Sequence, residues 1–105
     1  MAEENKTLEI EQTRSGYMLT CKLKGWLDPN TSADLVSKLN LQDITMLIFD
    51  MTNVEYVFSS GIRTFLIFQK MLEPMGGCVK LVNVPENIRN ILEYAGLEGM
   101  LDFKA

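Results

Sequence analysis

Apolar and polar residues alternate along the first part of the chain. Leu8 and Ile10 alternate with Glu9 and Glu11, and Tyr17, Leu19, Cys21 and Leu23 alternate with Thr20, Lys22 and Lys24. A period of two marks half-exposed strands, and the Arg14-Ser15-Gly16 turn between them predicts an antiparallel hairpin. Gly25 breaks the pattern. Asp28-Pro29-Asn30-Thr31-Ser32 supplies a turn with several possible N-caps. Thr31, followed three residues later by Asp34, resembles a capping box with Asp in place of Glu or Gln. Leu35, Val36 and Leu39 give the short helix that follows its apolar face. The continuous run from Met46 to Phe49 predicts a strand covered on both faces, as in a sheet flanked by helices. Beyond the apolar stretch Val54 to Phe58, a helix is predicted over residues 62–72, with Ile62, Phe65, Phe68 and Leu72 along one stripe. Pro74 and Gly76-Gly77 end it, and Cys78 to Val82 reads as the next strand. Pro85 opens a third helix, in which Ile88, Ile91, Leu92 and Ala95 keep the i, i+3, i+4, i+7 spacing and Gly96 serves as C-terminal cap. The order β-β-α-β-α-β-α predicts a single α/β domain over residues 1–105, with residues 1–6 as a flexible tail. Its mixed β-sheet is antiparallel at the start and continues through right-handed parallel crossovers with flanking helices.

Composition narrows what such a domain does. The chain is 47% apolar and 23% charged, ordinary for a soluble globular protein. Fourteen acidic and ten basic residues leave a net charge of −4 without a basic block, which argues against direct nucleic-acid binding. No apolar stretch approaches the roughly 20 residues that span a bilayer, and Met-Ala-Glu-Glu-Asn-Lys has no signal-peptide pattern. The expectation is a cytoplasmic protein with no membrane insertion. Histidine is absent altogether. That excludes Ser-His-Asp and Cys-His chemistry and removes the commonest metal ligand. Cys21 and Cys78 are too far apart in sequence for a C-x-x-C pair or a thiolate zinc cluster, and both read as small buried hydrophobes. No cofactor, metal site or catalytic residue is expected.

One motif is left to carry function. Ser59-Ser60-Gly61 stands between a probable strand and a helix start. Serines there serve as helix caps. The same place also suits a phosphorylation switch, because the outward N–H groups and the helix dipole favour negative charge. Position alone leaves both readings open.

Val54-Glu55-Tyr56-Val57-Phe58-Ser59-Ser60-Gly61-Ile62 resembles the signature loop of the STAS domain, the fold of bacterial anti-sigma factor antagonists. That loop reads roughly aromatic, apolar, Asp, Ser, Ser or Thr, Gly, Leu or Ile. Gly25-Trp26-Leu27-Asp28 resembles the family's earlier Gly-x-Ile/Leu-Asp. Gly76-Gly77, Val84-Pro85 and Ala95-Gly96-Leu97 match later landmarks in order, so the resemblance covers about residues 6 to 104.

The resemblance implies a partner kinase that is also the anti-sigma factor, and a cognate serine phosphatase. It places the phosphate on Ser59, with Ser60 the neighbouring hydroxyl and Gly61 the turn glycine. The implied partner surface comprises Phe58, Ser60, Gly61, Ile62, Arg63 and Ile67, with Asp28 brought near the loop. Two residues depart from the family pattern. Phe58 stands where an aspartate is usual, and Arg63 where a small residue is usual. Arg63, in the first turn of the expected helix, either pairs with a phosphate or is a solvated surface residue. Ile67 and Met71 either extend the partner surface or pack under a neighbouring helix. Trp26 reads as a lid over the sheet edge or as a partner contact. The same domain type also serves as an accessory subunit of lipid-transport ATPase complexes, and Phe58 keeps a phosphorylation-independent adaptor in view. An enzyme using Ser59 would need a lysine base, and neither Lys70, Lys80 nor Lys104 has a spacing that supplies one.

Overall fold

The computed structural model describes residues 8–97 and 99–103. The tail expected over residues 1–6, and Lys104, lie outside the described residues. The elements run β1 (Leu8–Ser15), β2 (Met18–Leu27), α1 (Pro29–Lys38), β3 (Met46–Val57), α2 (Ser59–Leu72), a 3₁₀ turn (Glu73–Met75), β4 (Cys78–Val82), α3 (Glu86–Tyr94) and β5 (Asp102–Phe103). All five strands form one sheet in the order β1-β2-β3-β4-β5. β1 and β2 are antiparallel, and every later pairing is parallel. The mixed α/β sheet is therefore as expected, with β5 added. Two residues carry no periodicity, so that strand had no signal in the chain.

Strand order decides which face is covered. Each parallel crossover steps to the next strand in the same direction, and right-handed crossovers then place α1, α2 and α3 on one side. Leu47 and Phe49 are fully buried, whereas Met46 and Ile48 are only half-buried. This corrects the expectation of a strand covered on both faces. Cys78 shares the uncovered face, half-buried with its Sγ 3.7 Å from Met46 Sδ, so it is not a core residue. Cys21 is, and burial pushes its thiol up to about 12, which leaves it inert.

The core lies between the sheet and α2. Phe65, Phe68 and Leu72 are all buried, and Phe49 meets the rings of Phe65 and Phe68 at 5.1 and 5.7 Å. In α1, Leu35 is buried and Leu39 packs partly on the core, but Val36 is 43% exposed and lies outside the apolar face. The inward face of α1 is filled instead by Thr31, Ser32 and Leu35. α3 sends Ile88 and Leu92 inward, leaves Ile91 at the margin and exposes Ala95. Gly96 follows with φ +79°, the left-handed value of a C-terminal cap.

β3 is longer than its apolar runs suggest because two register shifts interrupt it. Lys22 pairs with Asp50 but Lys24 with Asn53; Gly25 pairs with Val54 but Trp26 with Tyr56. Each shift inserts one extra residue into β3, as a β-bulge does. The buried residues Met51, Val54 and Val57 consequently recur every third position. Asp50 supports the first bulge: its Oδ1 accepts from the Thr52 N–H at 3.0 Å, the Thr52 hydroxyl at 2.6 Å and the Asn83 amide at 3.3 Å. Partial burial pulls the Asp50 carboxyl upward, but these hydrogen bonds, with Lys22 nearby, outweigh it and hold it below the ordinary 3.8.

Candidate functional site

The second bulge delivers the chain to the serine loop. Val57 is buried, so Phe58, one residue on, faces the other way and is 39% exposed. Its extended backbone (φ −85°, ψ 170°) makes it the N-cap of α2. The Phe58 N–H donates to the Leu27 carbonyl at 2.9 Å, fixing the loop to the end of β2. The Phe58 carbonyl accepts from the Gly61 and Ile62 N–H groups at 2.9 and 3.2 Å. Phenylalanine has no group to cap the helix, and α2 has no side-chain cap. The departure from the expected aspartate therefore falls on the N-cap itself.

Ser59, Ser60 and Gly61 are the first three residues of α2, which starts three residues earlier than the apolar stripe predicts. The two hydroxyls differ in access. Ser59 is exposed, whereas the Ser60 Oγ is buried and has no hydrogen-bond partner among the described residues. Ser60 contributes its carbonyl instead, accepting from the Thr64 hydroxyl at 2.9 Å. Gly61 allows the close approach that seats the loop: a Cβ there would meet Leu27 Cβ and Val57 Cγ1 at 2.9 Å.

The earlier helix start moves Arg63 out of the first turn, yet keeps it four residues from Ser59 and so on the same helix face. The same spacing continues to Ile67 and Met71, which are 42% and 50% exposed. They pack under no neighbouring helix. Ile62 is half-buried against the core. Asp28 is committed elsewhere: its Oδ1 accepts from the Thr31 N–H, and its own N–H donates to the Thr31 hydroxyl, both at 2.9 Å. This is a capping box with Asp28 as N-cap and Pro29 at the first helical position, one turn before the expected Thr31–Asp34 pair. The Leu27–Asp28 corner abuts the serine loop through Leu27, while the Asp28 carboxylate serves α1.

Trp26 lies one residue beyond Gly25, where the described pairing of β2 with β1 ends, and is paired there with β3. It pairs in register with Tyr56. Its ring centroid is 5.7 Å from that of Tyr56 and 6.0 Å from that of Phe58, and its indole N–H donates to Glu55 Oε1 at 2.9 Å. Tyr56 stands outside the contact residues that the loop motif implies. The signal was present in Tyr56-Val57-Phe58, where one buried valine sends two aromatics to the opposite face.

Among the described residues, neither Lys70 nor Lys80 approaches Ser59. Lys70 lies eleven positions on in α2, about 16 Å along the axis at 1.5 Å per residue. Lys80 pairs in register with Ile48, far down β3, and its Nζ is 3.8 Å from Asp102. Among the described residues no three His, Cys, Asp or Glu side chains are placed to hold a metal ion, and no helix is long and apolar enough to cross a membrane.

The uncapped helix gives a direct test of this geometry. Phe58→Asp should be more stable than Phe58→Ala by about 1 kcal/mol, since both lose the ring and only one gains an N-cap. The N-capping carboxylate acts while ionised, with its pKa depressed by the helix, so the difference is present at neutral pH and fades as acid protonates it. Urea unfolding of the two variants at both pH values reads it. Equal stability at neutral pH would mean that residue 58 is not the cap.

No curated protein matches this chain by sequence. Among solved structures, the unphosphorylated form of the anti-sigma factor antagonist SpoIIAA is similar at 20% identity, with 92% of this chain and 89% of that chain covered and a TM-score of 0.80. The phosphorylated form of SpoIIAA, a Bacillus cell fate determinant, is similar at 19% identity, with 92% of each chain covered and a TM-score of 0.67. An anti-sigma factor antagonist from Mycobacterium paratuberculosis is similar at 14% identity, with 97% and 89% covered and a TM-score of 0.77. At these identities the likeness is one of fold. The family model of the STAS domain matches residues 7–105, and the chain belongs to that family.

Proposed function

We propose that this chain is an anti-sigma factor antagonist acting in the cytoplasm by binding a protein partner rather than by catalysis. Unmodified, it binds a kinase-type anti-sigma factor through Phe58, Ser59 and the exposed face of α2 carrying Arg63 and Ile67, while Ser60 and the buried Gly61 seat the loop beneath that surface. Phosphorylation of Ser59 breaks the complex, and a cognate serine phosphatase restores it. The observation that carries this reading is the unequal access of the two hydroxyls: Ser59 is exposed at the start of α2 and the Ser60 Oγ is buried. A phosphate on Ser59 faces the terminal N–H groups of a helix without a side-chain cap, so it costs the isolated domain little. Support also comes from SpoIIAA, whose unphosphorylated and phosphorylated forms both resemble this fold.

Kinase and ATP should add one phosphate to wild type and to Ser60→Ala, and none to Ser59→Ala, by intact mass. Modification confined to Ser60 would reverse the assignment. Phe58 favours a second reading, because the family's usual aspartate is replaced by an exposed aromatic. In that reading the domain is a phosphorylation-independent adaptor, as in an accessory subunit of a lipid-transport ATPase complex. A kinase that binds the chain yet leaves its mass unchanged would select it.

A further inference from the structure

Arg63 stands on a helix that offers it no acid. α2, over Ser59–Leu72, contains neither Asp nor Glu. The residues three and four positions from Arg63 are Ser59, Ser60, Leu66 and Ile67. Arg63 is exposed, and it forms no hydrogen bond or ion pair with another described residue. Of its four neighbours only Ser59 carries an exposed hydroxyl, since the Ser60 Oγ is buried. Residues four apart on a helix lie one above the other, with Cβ atoms about 5–6 Å apart. Helical side chains also lean toward the amino end, so a side chain at residue 63 extends over residue 59. The backbone donors of the first turn are partly spent. The Gly61 and Ile62 N–H groups both donate to the Phe58 carbonyl, and the Phe58 N–H donates to Leu27. That leaves the Ser59 and Ser60 N–H groups as the orphans of this helix end.

We infer that Arg63 is the intramolecular clamp for a phosphate on Ser59. Such a phosphate brings roughly −1.5 to −2 charges and three strong acceptor oxygens. Two orphan N–H groups do not satisfy all of these, and the guanidinium fork supplies the missing donors together with a full positive charge. The phosphate is then held from the helix end on one side and from Arg63 on the other. Modification changes two features of the partner-facing surface at once. The Ser59 hydroxyl becomes an anion, and Arg63 turns from the partner toward that anion. The modified domain is stabilised by its own phosphate. The inference rests on the proposed function only for the presence of a phosphate on Ser59; the pairing itself stands on the spacing and the free arginine.

Phosphoserine installed at residue 59 during synthesis of the full chain supplies the modified protein without a kinase. Phosphorus NMR then follows its second ionisation, which ordinarily falls near about 6. A neighbouring cation favours the dianion, so the midpoint should lie at least about 0.3 pH unit lower with Arg63 than in Arg63→Gln. The modified protein should also melt about 2–4 °C higher at neutral pH with Arg63 than in Arg63→Gln. That margin should narrow as acid removes the second phosphate charge. Arg63→Lys, a point charge without the fork, should fall between the two. The unmodified proteins with Arg63 and with Arg63→Gln should melt together. Equal phosphate midpoints and equal melting in the modified pair would leave the phosphate on the helix end alone and overturn the inference. An unmodified Arg63→Gln that already melts lower by the same margin would make the arginine a support of the fold, and overturn it too. A kinase that leaves Ser59 unmodified removes the switch without touching these measurements, and an unclamped phosphate leaves the switch in place, so the two fail separately.

Discussion

Ser59→Asp is expected to weaken the complex with a kinase-type anti-sigma factor about a hundredfold, a loss of about 2.8 kcal/mol. The argument compares where the added charge sits before and after binding. In the free domain residue 59 is exposed at the first position of α2, so the carboxylate stays hydrated and meets the favourable end of the helix dipole. In the complex the same charge enters a contact region and loses its water, against a partner surface fitted to a neutral hydroxyl. Phosphate carries roughly −1.5 to −2 charges and should do at least as much. Ser59→Ala adds no charge and should bind like wild type. Calorimetric titration measures the three affinities, and thermal unfolding checks that the fold is unchanged. If Ser59→Asp binds as tightly as wild type with its fold intact, the loop lies outside the interface. The switch would then need another site.

How far the chain itself disclosed this arrangement depended on periodicity. The β2 alternation through Leu19, Cys21 and Leu23, and the α2 stripe of Phe65, Phe68 and Leu72, survive unchanged in the folded core. Their spacing matches the element each forms, so pattern and packing agree. β3 broke the rule because its two bulges put Met51, Val54 and Val57 at intervals of three. A period-two reading sees two short runs there instead of one strand. The same bulges set which way Phe58 faces, a fact that alternation alone left open. Coverage of the sheet on one face was equally hidden, since it follows from strand order and not from any single run. The α1 cap was misplaced by one turn because Thr31 has two roles available to it. Read alone it looks like an N-cap; with Asp28 before Pro29 it becomes the reciprocal partner of the true one.

The serine loop shows the same division. Its position at a helix start was legible from Ser59-Ser60-Gly61 and the run behind it. The unequal burial of the two hydroxyls was not, because it depends on how closely α2 approaches the end of β2. Neither was the aromatic group, whose members come together through the register of β2 against β3: Trp26 reaches Tyr56 only after both bulges have been counted.

That close approach hangs on Gly61, and Gly61→Val is expected to cost about 3 kcal/mol of stability, at the upper end for overpacking. Even a single added carbon would sit 2.9 Å from both Leu27 Cβ and Val57 Cγ1. Leu27 and Val57 are 0% and 1% exposed, so neither can swing into solvent to make room. Valine adds two further methyls to that collision. The gain in helix propensity over glycine is well under 1 kcal/mol for a β-branched residue, too small to reverse the sign. For a chain of this size the loss lowers the melting temperature by about 15 °C. Gly99→Ala, where a Cβ meets nothing within 4 Å among the described residues, should leave it unchanged and serves as the control. Relief of the clash in Gly61→Val requires α2 to lift from the β2 end, stretching the Phe58 N–H to Leu27 carbonyl bond that fixes the loop. Partner binding at a temperature where the variant is still folded should therefore fall as well, because Ser59 and Phe58 no longer hold their places. A Gly61→Val protein that melts with wild type would show that the corner has slack, and that the loop is seated by something other than this contact.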